Sequence, residues 1–130
     1  MSHFSTIKTK LKETEPLIKA LDLLGYNPNQ DEKFVKGYQG KFTAVDISLD
    51  LPENTKVGFK WDNKNNSYEL VTDLDLWKYN LPVERFISKV TQMYAYQTII
   101  SQTQKDGYQI VEQKNENDGS IELVLTKWEA

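Results

Sequence analysis

At 130 residues the chain is of a size to fold as one domain and to bury roughly two-thirds of the surface its unfolded form exposes. It has no cysteine, which excludes thiol catalysis, cysteine-ligated zinc and iron–sulfur clusters, and sixteen basic against nineteen acidic side chains leave a net charge of −3 with Arg85 as the one arginine. That balance argues against nucleic-acid binding, which needs clustered Lys and Arg, and no stretch reads as a secretory signal or as the ~20 apolar residues of a membrane span.

Phe4 to Lys10 is rich in β-branched residues and reads as a first strand. Thr14 as N-cap, Pro16 in the first turn, Leu17, Leu21 and Leu24 at helical spacing, and Gly25 at the end predict a helix over 13–24. After a polar loop, Lys36-Gly37-Tyr38-Gln39-Gly40 bends into a strand where Val45, Ile47, Leu49 and Leu51 alternate with Asp46, Ser48 and Asp50 until Pro52. Residues 57–61 and 68–72 flank the turn-forming run Asp62-Asn63-Lys64-Asn65-Asn66-Ser67, a hairpin.

Asn80 as cap, Pro82 in the first turn and Gly107 at the end predict a long second helix. Val83, Phe86, Ile87, Val90, Met93, Tyr94 and Gln97 share its apolar face, and Glu84, Arg85, Ser88 and Gln92 point away. Residues 108–112 and 121–128 form a last hairpin across Asn117-Asp118-Gly119-Ser120. The order β-α-β-β-β-α-β-β predicts one α+β domain over 1–130, two layers with a mainly antiparallel sheet and two helices on one face, ferredoxin-like or related.

Catalytic chemistry has little to build on. His3 is the one histidine, too few for a triad or a metal set, and Asp73 with Asp75 is the closest carboxylate pair. The Asp62-Lys64-Asn66 run puts a cation where a calcium loop needs a ligand, and Lys36 to Gly40 is too short and bulky for a phosphate loop. No cofactor or metal is expected. The three Trp, seven Tyr and five Phe exceed what a small core needs. Tyr96 and Ile99 project away from the main apolar face of the long helix, to be covered by a loop or a partner.

Charge is uneven: residues 1–42 carry seven Lys against five acids, and 43–79 four Lys against seven acids. A protein partner docking through aromatic and acidic surface is the leading expectation, with Tyr38, Trp61, Trp77, Tyr96 and Ile99 as contacts. The alternative is a small enzyme or ligand-binding domain that uses His3, Asp73 and Asp75 around a pocket between sheet and long helix.

Met1-Ser2-His3-Phe4-Ser5-Thr6-Ile7, Lys36-Gly37-Tyr38-Gln39-Gly40, Gly58-Phe59-x-Trp61, Tyr68-Glu69-Leu70-Val71-x-Asp73-Leu74, Gln92-x-Tyr94-Ala95-Tyr96, Asp118-Gly119-Ser120 and Trp128 together give the chain a resemblance to a known family. It resembles the "hypothetical chloroplast reading frame thirty-five" group of cyanobacteria and algal plastids over essentially its whole length. Met93 and Gln97 stand where some relatives are expected to carry a basic residue and a histidine, so no histidine-based activity carries over to position 97. The resemblance implies a small soluble protein of the cyanobacterial cytoplasm or plastid stroma, linked to photosynthesis and without an assigned activity. On that footing the leading expectation becomes a non-catalytic binding, assembly or regulatory module.

Overall fold

The computed structural model describes residues 4–115 and 121–127. In chain order these form β1 (Phe4–Lys8), α1 (Thr14–Leu23), β2 (Phe34–Lys36), β3 (Phe42–Ala44), β4 (Ile47–Leu51), β5 (Thr55–Asp62), β6 (Ser67–Asp73), α2 (Val83–Lys105), β7 (Tyr108–Asn115) and β8 (Ile121–Lys127). The α+β class holds. Four strands make one antiparallel sheet in the order β1-β6-β5-β4, which matches a ferredoxin-like order only loosely. The strands β2 and β3 form a separate two-stranded ribbon, and β7 pairs only with β8 among the described strands.

Period-2 alternation decides which side chains meet. Ile7, Leu70, Phe59 and Ile47 stand opposite one another across the four strands, and Ser5, Thr72, Val57 and Leu49 form the next row on the same face. Leu17 and Leu21 of α1 and Val83, Phe86 and Val90 of α2 pack onto that face, so both helices cover one side of the sheet as the sequence predicts. Each fully buried Leu or Phe there contributes roughly 1.5–3 kcal/mol.

Local hydrogen bonds set the element ends that the sequence places differently. The first strand stops at Lys8, not Lys10, because Thr9 Oγ1 donates to the Tyr68 carbonyl (2.5 Å) and accepts the Leu11 N–H (3.1 Å), which turns the chain out of the ladder. Thr14 is not the N-cap. It is the first helical residue, its hydroxyl bonded to that of Tyr68, and Glu13 holds the extended cap conformation. Likewise Pro82, not Asn80, precedes the second helix, and Gly107 ends it at φ +85°, the left-handed conformation that glycine adopts without strain.

Two further strands, β2 and β3, flank Tyr38–Gly40, where a simple bend entering one longer strand is expected from sequence. Gly37 N–H donates to the Lys41 carbonyl (2.7 Å), and Gln39 and Gly40 turn at φ 57° and 72°. The ribbon lies across the sheet face opposite the helices. Val35 joins Val45, Val71 and Phe4 in a second, smaller core there, which makes a partial third layer over the expected two. The last hairpin stands apart from the main sheet because α2, 23 residues and roughly 34 Å long, outruns strands of five to eight residues. Its predicted turn at 117–120 lies outside the described residues.

The ribbon is seated on a glycine. A Cβ at Gly58 would lie 2.5 Å from Val45 Cγ1 and 2.7 Å from Val35 Cγ2, closer than carbon atoms approach. Gly58→Ala is therefore expected to lower stability by about 1–3 kcal/mol through overpacking, outweighing the ~0.4–1 kcal/mol that the exchange gains through the unfolded chain. Urea unfolding measures the difference, and an unchanged midpoint would show that the ribbon yields freely.

Candidate functional site

Of the carboxylate pair, Asp73 caps a turn and Asp75 lies within that turn. Asp73 is buried at the end of β6, and its Oδ1 accepts the backbone N–H of Asp75 (3.0 Å), opening the short 3-10 turn Leu74–Leu76. Asp75 sits in that turn, exposed, and so does not share a strand face with Asp73. His3 lies outside the described residues. Other acids of the middle segment are also engaged locally: Asp46 accepts the Trp61 N–H (2.7 Å) and Asp50 pairs with Lys56 (2.5 Å). The Asp62 carboxylate accepts the Lys64 N–H and the Asn65 side-chain amide, hydrogen bonds that hold its pKa below the usual carboxylate value.

Among the aromatic candidates, Trp61 is half-buried with its ring edge-on to Tyr68 at 5.1 Å. Trp77 is half-buried too. It packs edge-on to Phe86 at 6.0 Å, and its Nε1 donates to the Leu81 carbonyl (3.0 Å), which fixes the approach to α2. Tyr38 lies in the turn joining β2 and β3, and its side chain lies outside the described part of the molecule. Tyr96 is half-buried on the late turns of α2, where Ile99 is 46% exposed. Ile99 lines an open groove of about 740 Å³ between α1 and α2, with Pro16, Lys19, Tyr94 and Gln97. The Tyr94 hydroxyl there accepts the N–H groups of Lys12 (3.1 Å) and Glu13 (3.0 Å), tying α2 to the start of α1. Gln97, placed in the buried stripe by its spacing, is half-exposed because the second half of α2 runs beyond the sheet.

Among the described residues the most exposed aromatics are two that the sequence does not single out. Phe34 and Phe42 are 56% and 63% exposed, and their rings meet edge to face at 6.4 Å. Phe34 stands opposite Ala44 and Phe42 opposite Lys36, so the two rings are diagonal neighbours on the outer face of the ribbon, while Val35 between them points into the second core. The signal was present as Phe-Val-Lys and Phe-Thr-Ala around a glycine-containing turn, each with one inward residue between two outward ones. Three-residue strands are too short for that alternation to stand out. A pair of Phe rings held in water has no use in the core of the chain.

A family model described as "Protein of unknown function (DUF1257)" matches residues 20–124. The "Uncharacterized protein ycf35" of Pyropia yezoensis is 35% identical and that of Guillardia theta 36% identical, each over 98% of both chains, and that of Cyanophora paradoxa is 33% identical over the same share. No solved structure matches the chain. Among the described residues no helix is long and apolar enough to cross a membrane.

Trp77 belongs to an aromatic cluster with a titratable member. Tyr79 and Tyr26 share a hydroxyl–hydroxyl bond of 3.1 Å, and that bond, then burial, then the charge Tyr26 would carry, raise the Tyr79 pKa above its ordinary 10.0, against a smaller lowering by Lys89. The folded state thus favours the neutral phenol. Its contribution is full below pH 10, the unfolded value, and is lost as pH rises through the higher folded value. Urea unfolding across that alkaline range is expected to show stability falling more steeply in the wild type than in Tyr79→Phe; equal slopes would remove Tyr79 as the cause.

Proposed function

The chain belongs to the family described as protein of unknown function DUF1257, and from that premise we propose that it is a non-catalytic binding or assembly module that docks on a protein partner through exposed aromatic surface. The Phe34–Phe42 pair carries the reading. Burying a Phe side chain from water contributes roughly 1.5–3 kcal/mol, and interface energy concentrates in such aromatic anchors. Here the anchors are held in place by a ribbon seated on the sheet, so little order has to be gained on binding. Ile99 and Tyr96 on α2 form a second candidate contact, and Tyr38 lies next to the first in the ribbon turn. The ycf35 relatives are consistent with action in the cyanobacterial cytoplasm or plastid stroma, and a link to photosynthesis is a further part of the proposal.

The second reading, a ligand-binding domain with a pocket between sheet and long helix, is favoured by one observation: a groove does lie between β1 and α2. Neither Asp73 nor Asp75 lines it, so the groove supports binding and not an acid–base site built on that pair.

Affinity capture from lysate of the native organism, read by quantitative mass spectrometry, tests the docking reading. Phe34→Asp with Phe42→Asp is expected to reduce recovery of the specific partner by roughly tenfold or more while far-UV circular dichroism and the melting temperature stay near wild type, since both rings are mostly in water. A partner set unchanged by this double variant, and lost instead with Tyr96→Asp plus Ile99→Asp, would move the contact to the helix. No specific partner at all would sink the reading.

A further inference from the structure

The groove between the end of β1 and the first half of α2 has a volume of about 850 Å³. Leu81 and Ile87 give it apolar surface. Lys8, Lys10, Arg85 and Lys89 give it four cations, and among the described residues no acidic side chain lines it. All four are exposed, so four of the sixteen bases of a net-negative chain gather around one opening. Arg85 and Lys89 are four apart on α2 and share its face toward β1. Glu69 stands across from Lys8 in the sheet but makes no ion pair with it; among the described residues the ion pairs are Lys19–Glu15 and Lys56–Asp50. Lys89 meets the face of the Tyr26 ring at 5.8 Å and makes no ion pair among the described residues.

A second feature shares the location. The strand β1 is the terminal strand of the main sheet, bonded to β6 on one side, and its outer row of backbone N–H and C=O groups has no strand partner among the described residues. Such an edge accepts an added strand, and lysines on it repel a basic or like-charged one. An acidic strand is favoured by both features at once. A small phosphorylated ligand would use the cations and leave the edge unused.

We propose that the groove receives an extended acidic segment of a protein partner, which adds to β1 as a strand while its carboxylates meet Lys8, Lys10, Arg85 and Lys89. Side chains alternate along a strand, so an acid at every second position of the segment points to the cationic side. Arg85 offers the planar fork suited to a carboxylate. This site is separate from the Phe34–Phe42 ribbon, which crosses the opposite face of the sheet, and it stands or falls independently of that surface.

The test is fluorescence anisotropy with a short fluorescein-labelled peptide of alternating Glu and Val, at low ionic strength. Binding is expected to weaken roughly tenfold in Arg85→Glu plus Lys89→Glu and again in Lys8→Glu plus Lys10→Glu, and to fall as salt rises toward ~0.15 M. Either exposed pair suffices if the other variant fails to fold by circular dichroism. Amide resonances of Phe4 to Lys8 are expected to shift on binding, and a variant with Phe34→Asp and Phe42→Asp is expected to bind the peptide as the wild type does. The proposal is overturned if a peptide with Lys in place of Glu binds equally, if charge reversal changes affinity by less than about twofold, or if a Pro-interrupted acidic peptide that cannot add as a strand binds as well. Tighter binding of tripolyphosphate or a single-stranded oligonucleotide than of the peptide would assign the cations to phosphate instead.

Discussion

The close approach of the ribbon to Gly58 is the constraint on which the rest of the molecule depends. The strand β5 is covered on both faces, by α1 and α2 through Val57 and Phe59 and by the ribbon through Gly58. Two three-residue strands have too few hydrogen bonds and too little apolar face to stand alone in water. Val35 and Val45 supply what the ribbon lacks by entering the space that a side chain at position 58 would fill. The placement of Phe34 and Phe42 follows from that contact, since both rings are carried by the strands that Val35 anchors. A missing methyl group in the central sheet thus determines whether the outermost aromatic surface is fixed or free.

Tyrosine hydroxyls do a comparable job on the helical side. The segment from Thr9 to Thr14 leaves the sheet and must start α1 without a capping side chain at Glu13. Tyr68 from the sheet and Tyr94 from α2 reach it from two directions, Tyr68 bonding Thr9 through its carbonyl and Thr14 through its hydroxyl, Tyr94 taking two backbone amides. Thr55 plays the same part at the other end of the sheet, accepting the N–H groups of Lys78 (2.9 Å) and Tyr79 (2.8 Å). Much of the aromatic excess noted in the composition therefore serves as rigid spacers that end in a hydrogen-bonding group. Among the described residues the aromatics left most exposed after these uses are Phe34 and Phe42, which have no such group.

That division explains what the sequence could reveal. Both helices and the hairpin of β5 and β6 were legible because apolar periodicity, Gly25, Gly107 and the Asp62 to Ser67 turn all act within a few residues. The ribbon was not, because its strands are shorter than the window in which period 2 is visible, and only the tertiary contact with Gly58 makes them strands. Asp73 and Asp75 looked like a pair from spacing alone, but the chain turns at Leu74 and uses one carboxylate to stabilise that turn. The cations of the groove come from β1 and from α2, far apart in the chain. No local pattern joins Lys8 and Lys10 to Arg85 and Lys89, since what brings them together is the packing of α2 beside the edge of the sheet.

Net charge misleads for a related reason. A value of −3 argues against polyanion binding only if the charges act as one field, and at physiological salt the screening length is about 8 Å. Within that distance the count that matters is local. Asp46, Asp50, Asp62 and Asp73 each answer a nearby amide or ammonium group, so the acidic middle of the chain projects less negative charge than its composition implies. Around the groove the opposite holds, because among the described residues its four bases have no carboxylate lining the opening with them. An acidic segment approaching β1 would meet that local field and not the average of the protein. The aromatic ribbon would meet a partner through apolar burial, which salt leaves largely intact. Two surfaces that differ in their response to salt can be occupied independently, which is the property an assembly module requires.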